Sequence, residues 1–269
     1  MDQDHLEVAV RAAKAAAVEL MSRRDSRVVS EKAPRDLVTD ADVAAQRAIR
    51  EVLQGVYPDY AFVGEEQGEN DPPDSVLRGD NDAPPCWVVD PLDGTVNYVH
   101  RLQNFAVSIG LWARGTMRLG VIYDPVYEEL FTAIDGQGAY CNGRLMQPSR
   151  CVTTDHALVA CSFPAGIHRH APEIDQFVNV LENCRSLRRL GSCALNMCYV
   201  ADGRLDAYWA TSVKSWDAAA GIVIARQAGA TITACDGGTL NEWVPKFCLS
   251  STFELNAQMT KLLTGPGTA

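Results

Sequence analysis

Residues 87–100, Trp-Val-Val-Asp-Pro-Leu-Asp-Gly-Thr-Val-Asn-Tyr-Val-His, constrain the fold of this chain more than any other stretch. An apolar run, Trp87 to Val89, leads into Asp90, and a second carboxylate, Asp93, follows three residues later. Pro91 lacks an N–H and has a fixed φ, so a regular strand ladder must break there. Gly94 permits a backbone angle that other residues avoid, or close approach by a ligand. The pattern predicts a buried strand whose end presents two carboxylates. A turn with N–H groups and a hydroxyl, Thr95, should follow it. Hard oxygen ligands beside such a turn suit magnesium-assisted phosphate chemistry. Taken alone, Pro-x-Asp-Gly is equally compatible with an ordinary turn, so its meaning depends on what else the chain brings to it.

The chain has 269 residues, 47% hydrophobic and 22% charged, enough for a sizeable core in one domain or two intimate halves. No apolar run approaches the ~18 residues of a transmembrane helix, so no membrane span is expected. The acidic start, Met1 to His5, leads into an amphipathic pattern unlike a signal peptide. Nine cysteines, an odd number with no Cys-x-x-Cys pair, point to reduced thiols in a cytoplasmic protein, serving as small apolar fillers. A net charge of −10, from 24 basic and 34 acidic residues, argues against a nucleic-acid partner bound across the surface. If Asp42, Glu65, Asp90, Asp93 and Asp217 converge, five formal negative charges share one pocket. Two carboxylates ~4 Å apart repel by about 4 kcal/mol at an effective dielectric of ~20, so such a cluster takes up protons or cations.

Periodicity supplies the elements. Leu6, Ala9, Val10, Ala13, Ala16, Ala17 and Leu20 recur at helical spacing and predict a helix to about Arg24. A second helix starts at Thr39, whose Thr-x-x-Asp pattern with Asp42 reads as a capping box, and stops near Gly55. Gln67 to Pro85 is polar and broken by prolines, a surface loop between strands. Runs at 105–112, 117–123 and 130–134, separated by turn residues, predict an antiparallel meander. From about residue 150, strands (157–161, 186–190, 205–209, 231–234, 247–250) mix with helices (173–183, 192–201, 216–228, 254–263), the rhythm of α/β layering. We expect an N-terminal α+β half over 1–150 and a C-terminal α/β half over 151–269, forming one compact unit.

Trp87 to His100 resembles throughout the first signature of the inositol monophosphatase family of magnesium-dependent, lithium-sensitive phosphatases. Trp216-Asp217-Ala218-Ala219-Ala220-Gly221, running on to Ala228-Gly229-Ala230, is similar to the second, with Ala230 where a glycine is usual. Gly64-Glu65-Glu66, Asp36 to Asp42 and Arg189-Leu190-Gly191-Ser192 also match, in the expected order. The likeness covers about residue 6 to residue 263. It implies a layered α–β–α–β–α sandwich with the site between the two halves, and a homodimer.

The resemblance also implies roles. Glu65, Asp90, Asp93, Asp217, the Leu92 carbonyl and, through water, Asp42 would hold two to three magnesium ions. Glu65 and Thr95 would hold the attacking water, with Asp93 as the third catalytic residue. Substrate would meet Asp93, Gly94, Thr95, Cys193, Ala210 and Asp217. On the residues alone, Asp217 opens a helix and Asp42 belongs to a capping box, so each is equally a cap. Glu66 reads as a salt-bridge or surface partner. His100, His168 and His170 read as structural or solvated, Arg188-Arg189 as phosphate-facing or salt-bridged, and Ser192 as a helix cap.

Substrate choice is where the chain departs from the family. Inositol-specific members carry a glutamate seven residues before the second-signature aspartate, and here that residue is Ala210. Alanine accepts no hydrogen bond from a polyol, so the site discriminates less among substrates. Inositol 1-phosphate or a similar small phosphorylated metabolite is the first expectation. The same chemistry on histidinol phosphate, a sugar phosphate, NADP or a nucleotide 3′-phosphate is the second. A non-catalytic regulatory or RNA-associated member is the third, and it calls for a decayed acid set or a basic surface.

Overall fold

The helical repeat of the first residues becomes α1 (Gln3–Arg23), which an antiparallel hairpin, β1 (Val29–Ala33) and β2 (Asp36–Thr39), joins to α2 (Asp40–Val56). The computed structural model describes residues 3–33, 36–66, 71–78, 80, 83–164 and 166–265. Residues 67–70, 79, 81 and 82 of the predicted 67–85 loop lie outside that set. Within this segment, α3 (Asp74–Leu77) follows β3 (Ala61–Gly64) as a single turn of helix. Next come β4 (Cys86–Asp93) and the short helix α4 (Thr95–Val99). The predicted meander is β5 (Ala106–Ala113), β6 (Thr116–Asp124) and β7 (Glu129–Ile134), extended by β8 (Ala139–Cys141) and β9 (Arg144–Leu145). The later elements are β10 (Leu158–Ser162), α5 (Pro172–Asn183), β11 (Ser186–Arg188), α6 (Cys193–Ala201) and β12 (Ala207–Ala210). The described chain closes with α7 (Ser215–Ala228), β13 (Thr231–Ala234), β14 (Phe247–Ser250) and α8 (Phe253–Thr264).

Two sheets result. One has seven strands in the order β3-β4-β5-β6-β7-β8-β9, the other five in the order β11-β10-β12-β14-β13. Strand alternation sends neighbouring residues to opposite faces. In β5, Val107, Ile109 and Leu111 pack with α1 and α2, while Ala106 and Trp112 face α6 and α7. In β12, Tyr208 and Ala210 face α6 and α7, while Ala207 and Trp209 pack on α5 and α8. Five layers follow: α1–α2, the large sheet, α6–α7, the small sheet, and α5–α8. This is the α–β–α–β–α sandwich that the sequence led us to expect. Because α7 lies between two sheets it is apolar nearly all round, with Ala218, Ala219, Ala220, Ile222, Val223, Ile224 and Ala225 buried. Trp87, Trp112 and Trp209, all fully buried, anchor three different interlayer cores. Each such ring removes ~150–250 Å² from water, contributing about 4–6 kcal/mol at ~25 cal/mol per Å².

The middle layer sits unusually close to the large sheet. A Cβ at Gly120 would lie 2.3 Å from the Ala220 carbonyl oxygen, and one at Gly110 would lie 2.7 Å from the Ala219 Cβ. Only glycine lets the α7 backbone come this near, and that approach carries the start of α7 to the end of β4.

Candidate active site

Asp90 and Asp93 sit at a programmed break in the large sheet. β4 pairs with β5 in regular register as far as Asp90↔Ser108, then shifts before Asp93↔Ala106. Pro91 lies in that gap, where its missing N–H costs no ladder bond. Asp90 is 1% exposed, and its Oδ1 accepts the Leu92 N–H at 2.9 Å. Gly94 then takes the left-handed conformation, φ 93°, and opens α4. The predicted turn is thus a glycine followed by one turn of helix. Thr95 turns its hydroxyl back, 3.1 Å from the Leu92 carbonyl oxygen and 3.3 Å from Asp42 Oδ1.

Other elements deliver the remaining acids. Parallel pairing of β3 with β4 ends at Gly64↔Val89, and the Glu65 N–H donates to the Val89 carbonyl at 3.2 Å, which sets Glu65 beside Asp90. Asp42 is the third residue of α2. Its Oδ2 accepts the Thr39 hydroxyl at 2.6 Å and the Thr39 N–H at 2.9 Å, completing the expected capping box. Asp217 holds the same position in α7, where its Oδ2 accepts the Lys214 N–H at 2.7 Å. Ser108 Oγ, 3.4 Å from the Trp216 carbonyl oxygen, ties the start of α7 to the strand partner of Asp90. Asp93 is bound at the N-terminus of α6. Its carboxylate accepts the Ser192 hydroxyl, the Cys193 N–H at 3.0 Å and the Ala194 N–H at 2.9 Å.

These acids perturb one another. Burial is the main force on Asp90 and drives its carboxyl well above the ordinary range, with repulsion from Glu65, Asp93 and Asp217 added. Burial lifts Asp217 to about 8, with Glu65 and Asp93 contributing, while hydrogen bonds it accepts from the Lys214 N–H and from Asp90 oppose the rise. Asp42 is raised by burial to about 7 against the pull of Thr39. Asp93 reaches only about 6, because Ser192, Cys193 and Ala194 offset its burial. One proton must be shared wherever Asp90 and Asp217 hydrogen-bond each other. The structure therefore assembles a desolvated acid cluster from β3, β4, α2 and α7.

The chemistry of this donor set fits a hard cation. Every candidate donor is an oxygen, and Asp90, Asp93 and Asp217 are drawn together out of bulk water. Among the described residues no group of three His, Cys, Asp and Glu side chains closes around one point by itself. Magnesium tolerates such openness, since it keeps several waters and binds through one or two carboxylates together with substrate phosphate.

Two expected substrate residues are sealed rather than open. Ala210 is fully buried, in the same apolar cluster as Tyr208 and Cys193. The Cys193 thiol is pushed well up by burial, with repulsion from Asp93, Asp217 and Asp90 added, and its N–H donates to Asp93. Thr211 Oγ1 is itself buried without a partner, whereas Ser212 and Lys214 are exposed. Glu66 is not a surface residue, for it is 4% exposed. The Gln46 side chain brackets its main chain, accepting the Glu66 N–H at 2.9 Å and donating to the Glu66 carbonyl at 2.6 Å. Arg188 donates to Ser186 and to the Leu187 carbonyl, and Arg189 lies 5.2 Å over the Phe163 ring.

Sequence reasoning missed Gln46 and Asn97. Asn97 Nδ2 donates to the Asn104 and Leu190 carbonyls, both at 2.7 Å, and so fixes the loop that leads to Ser192. The one signal for Gln46 is a polar residue within the buried face formed by Ala45, Ile49 and Leu53.

A family model described as "Inositol monophosphatase family" matches residues 1–264. A Pasteurella multocida protein named Nus factor SuhB is 38% identical over 237 residues, 87% of this chain and 86% of that protein. An inositol-1-monophosphatase of Mesorhizobium japonicum is 39% identical over 211 residues, 78% of this chain and 76% of that protein. The crystal structure of extragenic suppressor protein SuhB from Bartonella henselae superposes with a TM-score of 0.87 at 32% identity, covering 97% of this chain and 98% of that one.

Proposed function

The chain belongs to the inositol monophosphatase family, and on that premise we propose that it is a magnesium-dependent phosphomonoesterase acting on inositol 1-phosphate or a similar small monophosphate. The observation that carries this reading is the convergence of three desolvated carboxylates, Asp90, Asp93 and Asp217, with Glu65 beside them, whose repulsion acts on all three. Glu65, Asp90, Asp93, Asp217 and the Leu92 carbonyl would hold the ions, with Asp42 reaching a further one through water. Bound there, magnesium supplies the charge that steadies phosphate oxygens and lowers the pKa of water.

The chain's own groups account for the rest. The single Thr95 hydroxyl proton lies within reach of either the Leu92 carbonyl or Asp42 Oδ1; turned to Asp42, it would leave the Oγ1 lone pairs to accept a proton from the attacking water. The Asp42 carboxylate, 3.3 Å from Thr95 Oγ1, would take up that proton from Thr95. The N–H groups of Gly94 and Thr95, at the start of α4, would hold the phosphate. Asp93, fixed by α6, would orient the substrate on the side of the leaving oxygen.

A second reading keeps the chemistry and changes the substrate, and buried Ala210 favours it. No carboxylate stands at that position to grip a polyol. The Nus-factor name of some relatives suggests a third, regulatory reading, whose partner would be a protein or nucleic acid. The family resemblance further leads us to expect a homodimer, sensitivity to lithium and a cytoplasmic location.

Phosphate release from inositol 1-phosphate, histidinol phosphate, fructose 1,6-bisphosphate, NADP and adenosine 3′,5′-bisphosphate, with magnesium and with EDTA, tests all three. Magnesium-dependent release strongest on inositol 1-phosphate supports the first reading. Preference for another member moves the substrate. No release from any, despite bound metal, favours the regulatory one.

A further inference from the structure

We propose that Gln46 is a positioning residue that sets the metal affinity of the acid cluster by holding the Glu65–Glu66 main chain. This rests on the magnesium-dependent reading above. Gln46 lies one helical turn after Asp42 on α2 and is 2% exposed. Its amide makes two hydrogen bonds to the main chain of one residue, from the Glu66 N–H and to the Glu66 carbonyl. That is the pairing a neighbouring β-strand would make, supplied by a side chain. It continues the β3 ladder past Gly64, where strand pairing ends.

Glu65 lies between two fixed points. On one side its N–H is held by the Val89 carbonyl of β4. On the other, Gln46 locks Glu66 to α2, the helix that carries Asp42. The amide therefore fixes the spacing between the Asp42 and Glu65 carboxylates, which already repel each other. A second observation agrees. A Cβ at Gly64 would lie 2.5 Å from Gln46 Oε1 and 2.8 Å from its Cδ, so the glycine leaves room for the amide in its bonded position. Partners of metal ligands act in this way, orienting groups that they do not replace, and their loss typically weakens metal binding about 10–100-fold.

The test uses the full chain, Mg²⁺ titrated by calorimetry, and three variants. Gln46→Met keeps the length and burial but neither hydrogen bond, and Gly64→Ala presses a Cβ on the amide and, at 2.8 Å, on the Phe62 ring. Leu255→Ala, in the fully buried α8 core far along the chain, controls for general destabilisation. At a temperature where all remain folded, Gln46→Met and Gly64→Ala should bind Mg²⁺ at least about 10-fold more weakly than wild type. Leu255→Ala should lower Tm and leave the affinity unchanged. Affinity within twofold of wild type in Gln46→Met overturns the role, as does an equal loss in Leu255→Ala. A wild type that takes up no Mg²⁺ overturns the magnesium reading itself, and the positioning role with it.

Discussion

Ser192 caps α6 and, through the same hydroxyl, donates to the carboxylate of Asp93, 99 residues earlier in the chain. One side chain thus completes a helix and fixes an acid from the opposite sheet. Ser192→Ala should cost about 0.5–2 kcal/mol through the lost cap. Turnover should fall only several-fold, because the Cys193 and Ala194 N–H groups still hold the carboxylate. Calorimetry beside a phosphate-release assay reads both effects. A loss beyond a hundredfold at unchanged Tm would give Ser192 a part in the chemistry itself.

Asp93→Asn should leave less than a tenth of the wild-type rate. It should also lower Tm, because an amide turns an N–H toward a helix end that offers only donors. The same two assays apply, and a variant that keeps more than a tenth of the activity would remove Asp93 from the catalytic set.

The metal-free chain should lose stability as pH rises. Asp42, Asp93 and Asp217 are held at about 7, 6 and 8, above the ordinary 3.8, so the folded state binds more protons than the unfolded one. Their contribution is therefore complete below about pH 4 and is lost as pH climbs through the folded values. Magnesium replaces the missing protons, so its effect on Tm should grow between about pH 5.5 and 8.5. Thermal scans across that window, in EDTA and in magnesium, check the sign. An equal magnesium effect at both ends would show that the ion binds elsewhere.

Gly120→Ala should damage the fold and the site together. Its Cβ meets a backbone carbonyl of α7 at 2.3 Å, which cannot swing aside as a side chain would. Overpacking of this kind costs about 1–3 kcal/mol, or about 2–12 °C in Tm for a chain of this size. Because Asp217 rides on α7, activity should fall beyond what the folded fraction explains. Full activity in the folded fraction would mean that α7 can shift without moving Asp217.

The acids were legible because each stands at a change of pattern. Asp90 ends an apolar run, Glu65 follows a short strand, and Asp42 and Asp217 sit three residues into helices. Helices and strands followed from periodicity, since burial on a known face is what that pattern encodes. What stayed hidden depends on partners distant in sequence. Gln46 reads as an ordinary helical glutamine until Glu66, twenty residues on, lies against it. Glu66 reads as a salt-bridge or surface partner until the Gln46 side chain of α2 is seen against its main chain. The α4 turn was also missed, because a helix of one turn is too short to express a period.

The N-termini of α6 and α7 both open on the acid cluster, one at Asp93 and the other at Asp217. Each helix end presents roughly half a positive charge, so together they offset about one carboxylate. The remaining charge calls for protons or cations. A phosphate dianion arriving first would face a surplus of like charge. If the cluster holds magnesium as proposed, at least one cation would have to be in place before a phosphate could be held beside it.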